Sequence, residues 1–168
     1  PEVAGPEGLE SNIELTQSIL ACVPEKMRRF LAHHPPFEFR PVRPPNFLHP
    51  QPTEPIKHIW MRAWESIPDT PSLHFNLLTY ISDYELIGAA TLPHGLRFDR
   101  GQVQIASLDH AMWFHRPVSV DQWLLYSIDS PRSGGGRGFS RGQIFTQDGV
   151  LVASTAQEGV IRVWDPEE

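Results

Sequence analysis

Apolar residues fall at two different spacings along this chain. From Ile13 to Leu31 they recur loosely at helical intervals (Ile13, Ile19, Leu20, Val23, Met27, Phe30, Leu31), and Pro24 interrupts them, which predicts one broken helix or two short ones. Later the spacing is cleaner. Leu73, Leu77, Tyr80, Ile81 and Tyr84 make one apolar face of a helix that runs to about Ile87, where Gly88 and Pro93 end it. Asp69-Thr70-Pro71 supplies an N-cap side chain and a proline at the first turn, where a missing N–H costs nothing. Residues 56–64, 103–114, 123–130, 138–147 and 151–163 are aromatic and β-branched and are separated by glycine, proline and aspartate clusters, so they read as strands. Asp148-Gly149 between the last two signals a tight hairpin. The prolines crowded between Pro35 and Pro55 leave room for one short strand, 37–40, at a sheet edge. Strands gathered around one long apolar helix predict an α+β fold, with an antiparallel sheet curled about that helix.

Composition narrows the classes. A chain of 168 residues, 40% of them apolar, buries one core and reads as one domain. Within it, 1–10 is a linker rich in proline, glycine and glutamate, 11–55 a helical and proline-rich lead-in, and 56–168 the body. The formal net charge of −6 argues against a surface built to neutralise phosphates, and so against nucleic acid as a partner. Cys22 is the only cysteine, which excludes an internal disulfide and a multi-cysteine zinc site and fits a reducing compartment. No stretch approaches the roughly 20 apolar residues that span a bilayer, and no charged-then-apolar leader opens the chain, so an intracellular protein with no membrane partner is expected. The start at Pro1 reads as a fragment or a processed product. The eight histidines show neither His-x-x-x-His nor cysteine-paired spacing, so they fit structural or surface roles better than a metal site. Gly134-Gly135-Gly136-Arg137-Gly138 lacks the Lys-Ser/Thr ending of a phosphate-binding loop and precedes a strand, which fits a plain loop.

Three segments carry a more specific signal: Ser107-Leu108-Asp109-His110-Ala111-Met112-Trp113-Phe114-His115-Arg116-Pro117, Trp123-Leu124-Leu125-Tyr126, and the run from Thr146-Gln147-Asp148-Gly149 to Ala156-Gln157-Glu158-Gly159. With Ile81-Ser82-Asp83-Tyr84 and Leu92-Pro93-His94-Gly95 upstream, they resemble the type II acyl-CoA thioesterases. That resemblance implies two hotdog domains in tandem, each a curved antiparallel sheet around a long helix. This chain matches the second domain and its leading linker. Its partners would then be an acyl-CoA substrate and either the N-terminal hotdog half or a second copy of itself. The compartment would be cytoplasmic in a bacterium and peroxisomal in a eukaryote, although Pro166-Glu167-Glu168 is no peroxisomal tripeptide.

The resemblance further implies catalytic roles for Asp83, Ser107 and Gln157, with no cofactor, no metal and no covalent intermediate. A carboxylate on an otherwise apolar helix suits a general base, and a hydroxyl and an amide on neighbouring strands suit a water-positioning pair. Read without the resemblance, Asp83 fits a solvated helix face better than a catalytic role, and Gln157 fits an outward strand position equally well. Ser107 lacks a Gly-x-Ser-x-Gly elbow. Strand alternation puts Asp109 on the Ser107 side and His110 on the other, which disfavours a serine triad. Asp109 and Arg116 read as strand-end hydrogen bonders. Arg137 and Arg141 are candidate contacts for the phosphates of coenzyme A, and Trp113, Phe114 and Trp123 for an acyl tunnel. Two other classes stay open: a hotdog enoyl-CoA hydratase, which needs an Asp/His pair, and a non-catalytic acyl-binding or assembly module.

Overall fold

The computed structural model describes residues 1–25, 28, 35–98 and 103–164. Helix α1 (Asn12–Ile19) begins with a capping box in which the Ser11 side chain accepts from the Glu14 N–H and the Glu14 carboxylate accepts from the Ser11 N–H. These hydrogen bonds hold the Glu14 carboxyl below its ordinary pKa. A 3-10 turn, Leu20–Cys22, follows it. The rest of the expected helix, with Met27, Phe30 and Leu31, lies outside the described residues.

Seven strands form one antiparallel sheet: β1 (Phe37–Pro41), β2 (Ile56–Ala63), β3 (Val103–Ser107), β4 (Ala111–Phe114), β5 (Leu124–Gly134), β6 (Arg137–Thr146) and β7 (Leu151–Val163). Their order is β1-β2-β5-β6-β7-β3, with β4 also paired to β7. The short, proline-ended β1 stands at an edge, as its composition requires. Between β6 and β7 the hairpin closes through Thr146 N–H to Val150 O at 2.9 Å, and Gly149 takes the left-handed conformation (φ 89°) that the turn demands.

The expected strand 103–114 is two strands on one neighbour. Ser107 pairs with Gly159 and Ala111 with Ala156, so Leu108, Asp109 and His110 lie opposite only Gln157 and Glu158. This bulge changes the face on which every later side chain emerges.

Helix α2 (Pro71–Ser82) packs on one face of the sheet. Pro71 occupies its first turn, but Thr70 at the N-cap makes no side-chain hydrogen bond, contrary to the expectation from sequence. The helix also stops earlier than expected. Beyond Asp83 the backbone turns into a 3-10 helix, Ile87–His94, and this carries Leu86, Ile87, Ala89 and Ala90 down onto the sheet. Of the expected apolar stripe only Ile81 is buried; the buried face is His74, Leu78, Ile81 and Ser82. Tyr80 and Tyr84 are half exposed, their rings lying against Phe37 (6.3 Å) and Phe39 (5.8 Å) of β1, because a phenol covers apolar surface while keeping its hydroxyl wet.

The core joins Leu78 and Ile81 to Ile59, Met61, Leu124, Ile128, Ile144 and Val152. Each such side chain contributes roughly 1.5–3 kcal/mol by leaving water. On β6 the alternation is strict: Gly138, Ser140, Gly142 and Ile144 are buried, whereas Arg137, Phe139 and Arg141 are exposed. The lead segment lies along the sheet, with Trp60 Nε1–H donating to Ala4 O at 2.8 Å and Arg40 to Pro6 O at 2.9 Å. The buried Glu38 carboxylate bridges Arg40 and Arg62, and both guanidiniums lie over the Trp123 ring at 5.1 and 4.4 Å.

Gly142 permits the closest approach within the sheet. A Cβ there would stand 2.5 Å from Thr155 Oγ1 and against the Tyr126 ring. Gly142→Ala should therefore destabilise the fold by about 1–3 kcal/mol, seen as a lower denaturant midpoint, since overpacking forces the neighbours to move. An unchanged midpoint would show that Tyr126 is less tightly seated than this geometry implies.

Candidate active site

Asp83 is the C-cap residue of α2, so its carboxylate leaves the helix exactly where the axis ends and the sheet begins to be reached by other side chains. What holds it there is the residue before it. Tyr126 of β5 donates its phenol proton to the Ser82 carbonyl at 2.9 Å, satisfying one of the acceptors that every helix leaves open at its C-terminus. The same phenol oxygen lies 2.8 Å from Thr155 Oγ1 of β7. Burial pushes the Tyr126 phenol above its ordinary pKa, which keeps it protonated and able to donate. The Ser82 hydroxyl donates to Thr79 O at 2.8 Å, so both polar groups of Ser82 are fixed.

The three residues named from sequence meet on one atom. Ser107, the last residue of β3, donates its hydroxyl to Asp83 Oδ1 at 2.9 Å. Gln157 of β7 donates through Nε2 to the same oxygen. Gln157 is completely buried, while half of the Asp83 side chain remains accessible. Among the described residues no hydrogen bond reaches Asp83 Oδ2, and that oxygen is left to accept from solvent or substrate.

His110 belongs to this cluster, although strand alternation put it on the other face. Its Nε2 lies 2.8 Å from Ser82 Oγ, its Nδ1 3.1 Å from Gln157 Nε2, and the same Nδ1 3.9 Å from Asp83 Oδ1. The bulge at 108–110 explains the difference, since the extra residue turns His110 back toward Ser107's side. Among the described residues no hydrogen bond joins His110 to Ser107, so the pair does not form a serine–histidine nucleophile. Asp109 makes the strand-end bond expected of it, accepting the Glu158 N–H at 2.7 Å.

The remaining candidates are not brought to this place. Arg137 and Arg141 emerge from β6 on the exposed side, opposite the buried Ser140 that pairs with Gln157, and they are engaged by Glu158 (2.7 Å) and Asp129. Trp113 is exposed and alternates along β4 with Met112, whose sulfur touches Ser82 Oγ at 3.8 Å, and with Phe114, which packs edge-on against Phe75 at 4.9 Å. Trp123 is held beneath Arg40 and Arg62. Two surface clefts, one between α1 and residues 44–48 and one beside the start of α2, include none of Asp83, Ser107, His110 and Gln157. Among the described residues no three His, Cys, Asp or Glu side chains are arranged to hold a metal ion.

The Tyr126 anchor is testable by stability. Tyr126→Phe should lower it by about 1–3 kcal/mol, because the Ser82 carbonyl and Thr155 hydroxyl lose a buried partner. A phenol whose folded pKa is raised contributes fully below its unfolded value of about 10 and loses that contribution as pH climbs beyond it. The difference between parent and Tyr126→Phe in urea denaturation should therefore shrink as the pH rises above about 10. A difference that stays constant would show that the phenol is not selectively protonated in the fold.

Residues 31–160 match the family model described as acyl-CoA thioesterase. Acyl-coenzyme A thioesterase 8 of Homo sapiens is 42% identical over 141 residues, covering 83% of this chain and 44% of that protein. Among solved structures, an acyl-CoA thioesterase II from Mycobacterium marinum aligns with a TM-score of 0.71 at 36% identity, over 98% of this chain and 56% of that one. A hot dog fold protein from Alicyclobacillus acidocaldarius aligns with a TM-score of 0.66 at 18% identity, a likeness of fold alone. The architecture is the α+β hotdog fold. The chain spans about half the length of these relatives.

Proposed function

This chain belongs to the acyl-CoA thioesterase family, and from that premise we propose that it carries the hydrolytic centre of an enzyme splitting fatty acyl-CoA into fatty acid and coenzyme A. The observation that supports this most strongly is the meeting of Ser107 and Gln157 on Asp83 Oδ1. A carboxylate fixed by two donors on one oxygen presents the other in a set direction, and a water that donates to it becomes a better nucleophile. A water whose second hydrogen points at the Ser107 hydroxyl oxygen, which gives its own proton to Asp83, keeps a lone pair for the thioester carbonyl carbon.

In this mechanism the water oxygen bonds to the carbonyl carbon while its proton passes to Asp83, and the carbonyl electrons move onto oxygen. The tetrahedral intermediate collapses with cleavage of the C–S bond. Coenzyme A leaves as thiolate and takes up the proton. Backbone N–H groups are the natural holders of the oxyanion.

His110 bears on the hydratase alternative. That chemistry needs a histidine free to exchange a proton with substrate, and both ring nitrogens of His110 are engaged, by Ser82 and by Gln157. Direct hydrolysis is favoured for this reason.

The half-exposed Asp83 carboxylate implies that another surface completes the acyl site. We assign that surface to a second hotdog, either the tandem half or another copy of this chain. Exposed Tyr80 and Tyr84 flank Asp83 on the helix and offer that partner apolar surface.

Asp83→Asn keeps the shape of the side chain but removes its basicity. It should lower kcat for thiol release from an acyl-CoA by about 10²–10⁴-fold, read with a thiol-reactive dye. Unchanged release would remove Asp83 from the mechanism, and no release by the parent, alone or joined to its tandem half, would favour a non-catalytic module.

A further inference from the structure

The buried Gln157 amide has two unlike ends, and its orientation decides whether Asp83 meets an N–H or a carbonyl oxygen. Among the described residues Gln157 Oε1 has no hydrogen-bond partner, so nothing at the oxygen end selects between the two. Selection falls to the nitrogen end. There the amide has two hydrogens and two acceptors, Asp83 Oδ1 and His110 Nδ1, the latter at 3.1 Å.

His110 Nδ1 accepts only while its lone pair is free, which requires the ring proton to be on Nε2. The surroundings of Nε2 supply the reason for that tautomer. Ser82 Oγ lies 2.8 Å away, and its own proton is directed at Thr79 O, also at 2.8 Å, so Ser82 faces the ring as an acceptor. Donors therefore run in one direction, from the Gln157 amide to His110, from His110 to Ser82, and from Ser82 to the helix carbonyl. The opposite tautomer would set a ring N–H against the amide N–H.

We propose that His110 is a positioning residue for the Asp83 carboxylate that activates the hydrolytic water. As a neutral imidazole protonated on Nε2, it locks the Gln157 amide with its nitrogen toward Asp83. This deepens the hydrolytic reading and rests on it.

A second proton on the ring undoes the arrangement. Nδ1–H would then seek an acceptor, either Asp83 Oδ1, now 3.9 Å away, or Gln157 Oε1 after an amide flip that turns a carbonyl oxygen toward the carboxylate. Asp83 on α2 is the charged group that faces the ring. Of the other titratable groups nearby, Asp109 is engaged by the Glu158 N–H, Glu158 by Arg137, His115 by Ser154, and the Tyr126 phenol of β5 by Ser82 O.

Two measurements test the proposal. Long-range ¹H–¹⁵N correlation spectra of this chain near pH 7.5 should show His110 as the Nε2–H tautomer, with that preference weakened in Ser82→Ala. In kinetics, His110→Ala should lower kcat by about tenfold or more with KM within about twofold, as misorientation of a general base does. His110→Asn, whose Oδ1 replaces Nδ1 as acceptor, should recover most of that loss. An Nδ1–H tautomer, an undiminished His110→Ala, or an Asn variant no better than Ala would each overturn the proposal. An Nε2–H tautomer dependent on Ser82, in a protein that releases no thiol, would instead defeat the hydrolytic reading and leave the hold on the amide standing.

Discussion

Everything at the candidate centre depends on how the last turn of α2 is tied to the sheet. A helix end is a poor platform for chemistry, because its final carbonyls lack partners and its terminal residues fray. Here the penultimate carbonyl group is captured by the buried Tyr126 phenol, and the adjoining hydroxyl is locked between Thr79 O and His110. The next residue is Asp83. Its carboxylate is held by the buried Gln157 of β7 and by Ser107 at the exposed end of β3, and so it takes its position from the sheet rather than from a helix terminus.

The sheet meets this requirement by being thin where it must be. Gly142 on β6 admits the Tyr126 ring and the Thr155 hydroxyl, and Gly159 on β7 admits Ile87 of the 3-10 helix. Inward positions elsewhere on these strands carry Ile144 and Val152, which fill the core under Leu78. The alternation of glycine with bulk lets helix and sheet approach closely at one end. That end is where the polar groups gather.

Most of the fold was legible in the chain, and the reasons are local. The strands β2, β5, β6 and β7 announced themselves because β-branched and aromatic residues alternate between punctuating glycines and prolines. Asp148-Gly149 named its own turn. The capping box at Ser11 and Glu14 stood in the sequence as a Ser-x-x-Glu signal and was passed over. Two features were hidden for physical reasons. The face of α2 that is buried includes His74 and Ser82, polar residues whose burial depends on partners far away in sequence, so an apolar stripe pointed to the wrong side. The role of His110 depends on counting residues against an opposite strand, which one segment read alone does not supply. Asp83, Ser107 and Gln157 could be named only through family resemblance. Spacings of 24 and 74 residues carry no local pattern.

The three-against-two bulge between β3 and β4 has a consequence for how this chain can vary. Of residues 108–110, Leu108 can exchange its side chain with little effect on the ladder, since Leu108 and Asp109 donate their N–H groups to a single carbonyl, that of Glu158, whereas the Asp109 carboxylate accepts the Glu158 N–H. The number of residues is another matter. Removing one residue would return the strand to simple alternation, rotate the imidazole out of the cluster and turn Met112 and Phe114 away from the helix. Length, as well as the identity of Asp109 and His110, is what natural drift and protein engineering alike must preserve at this edge.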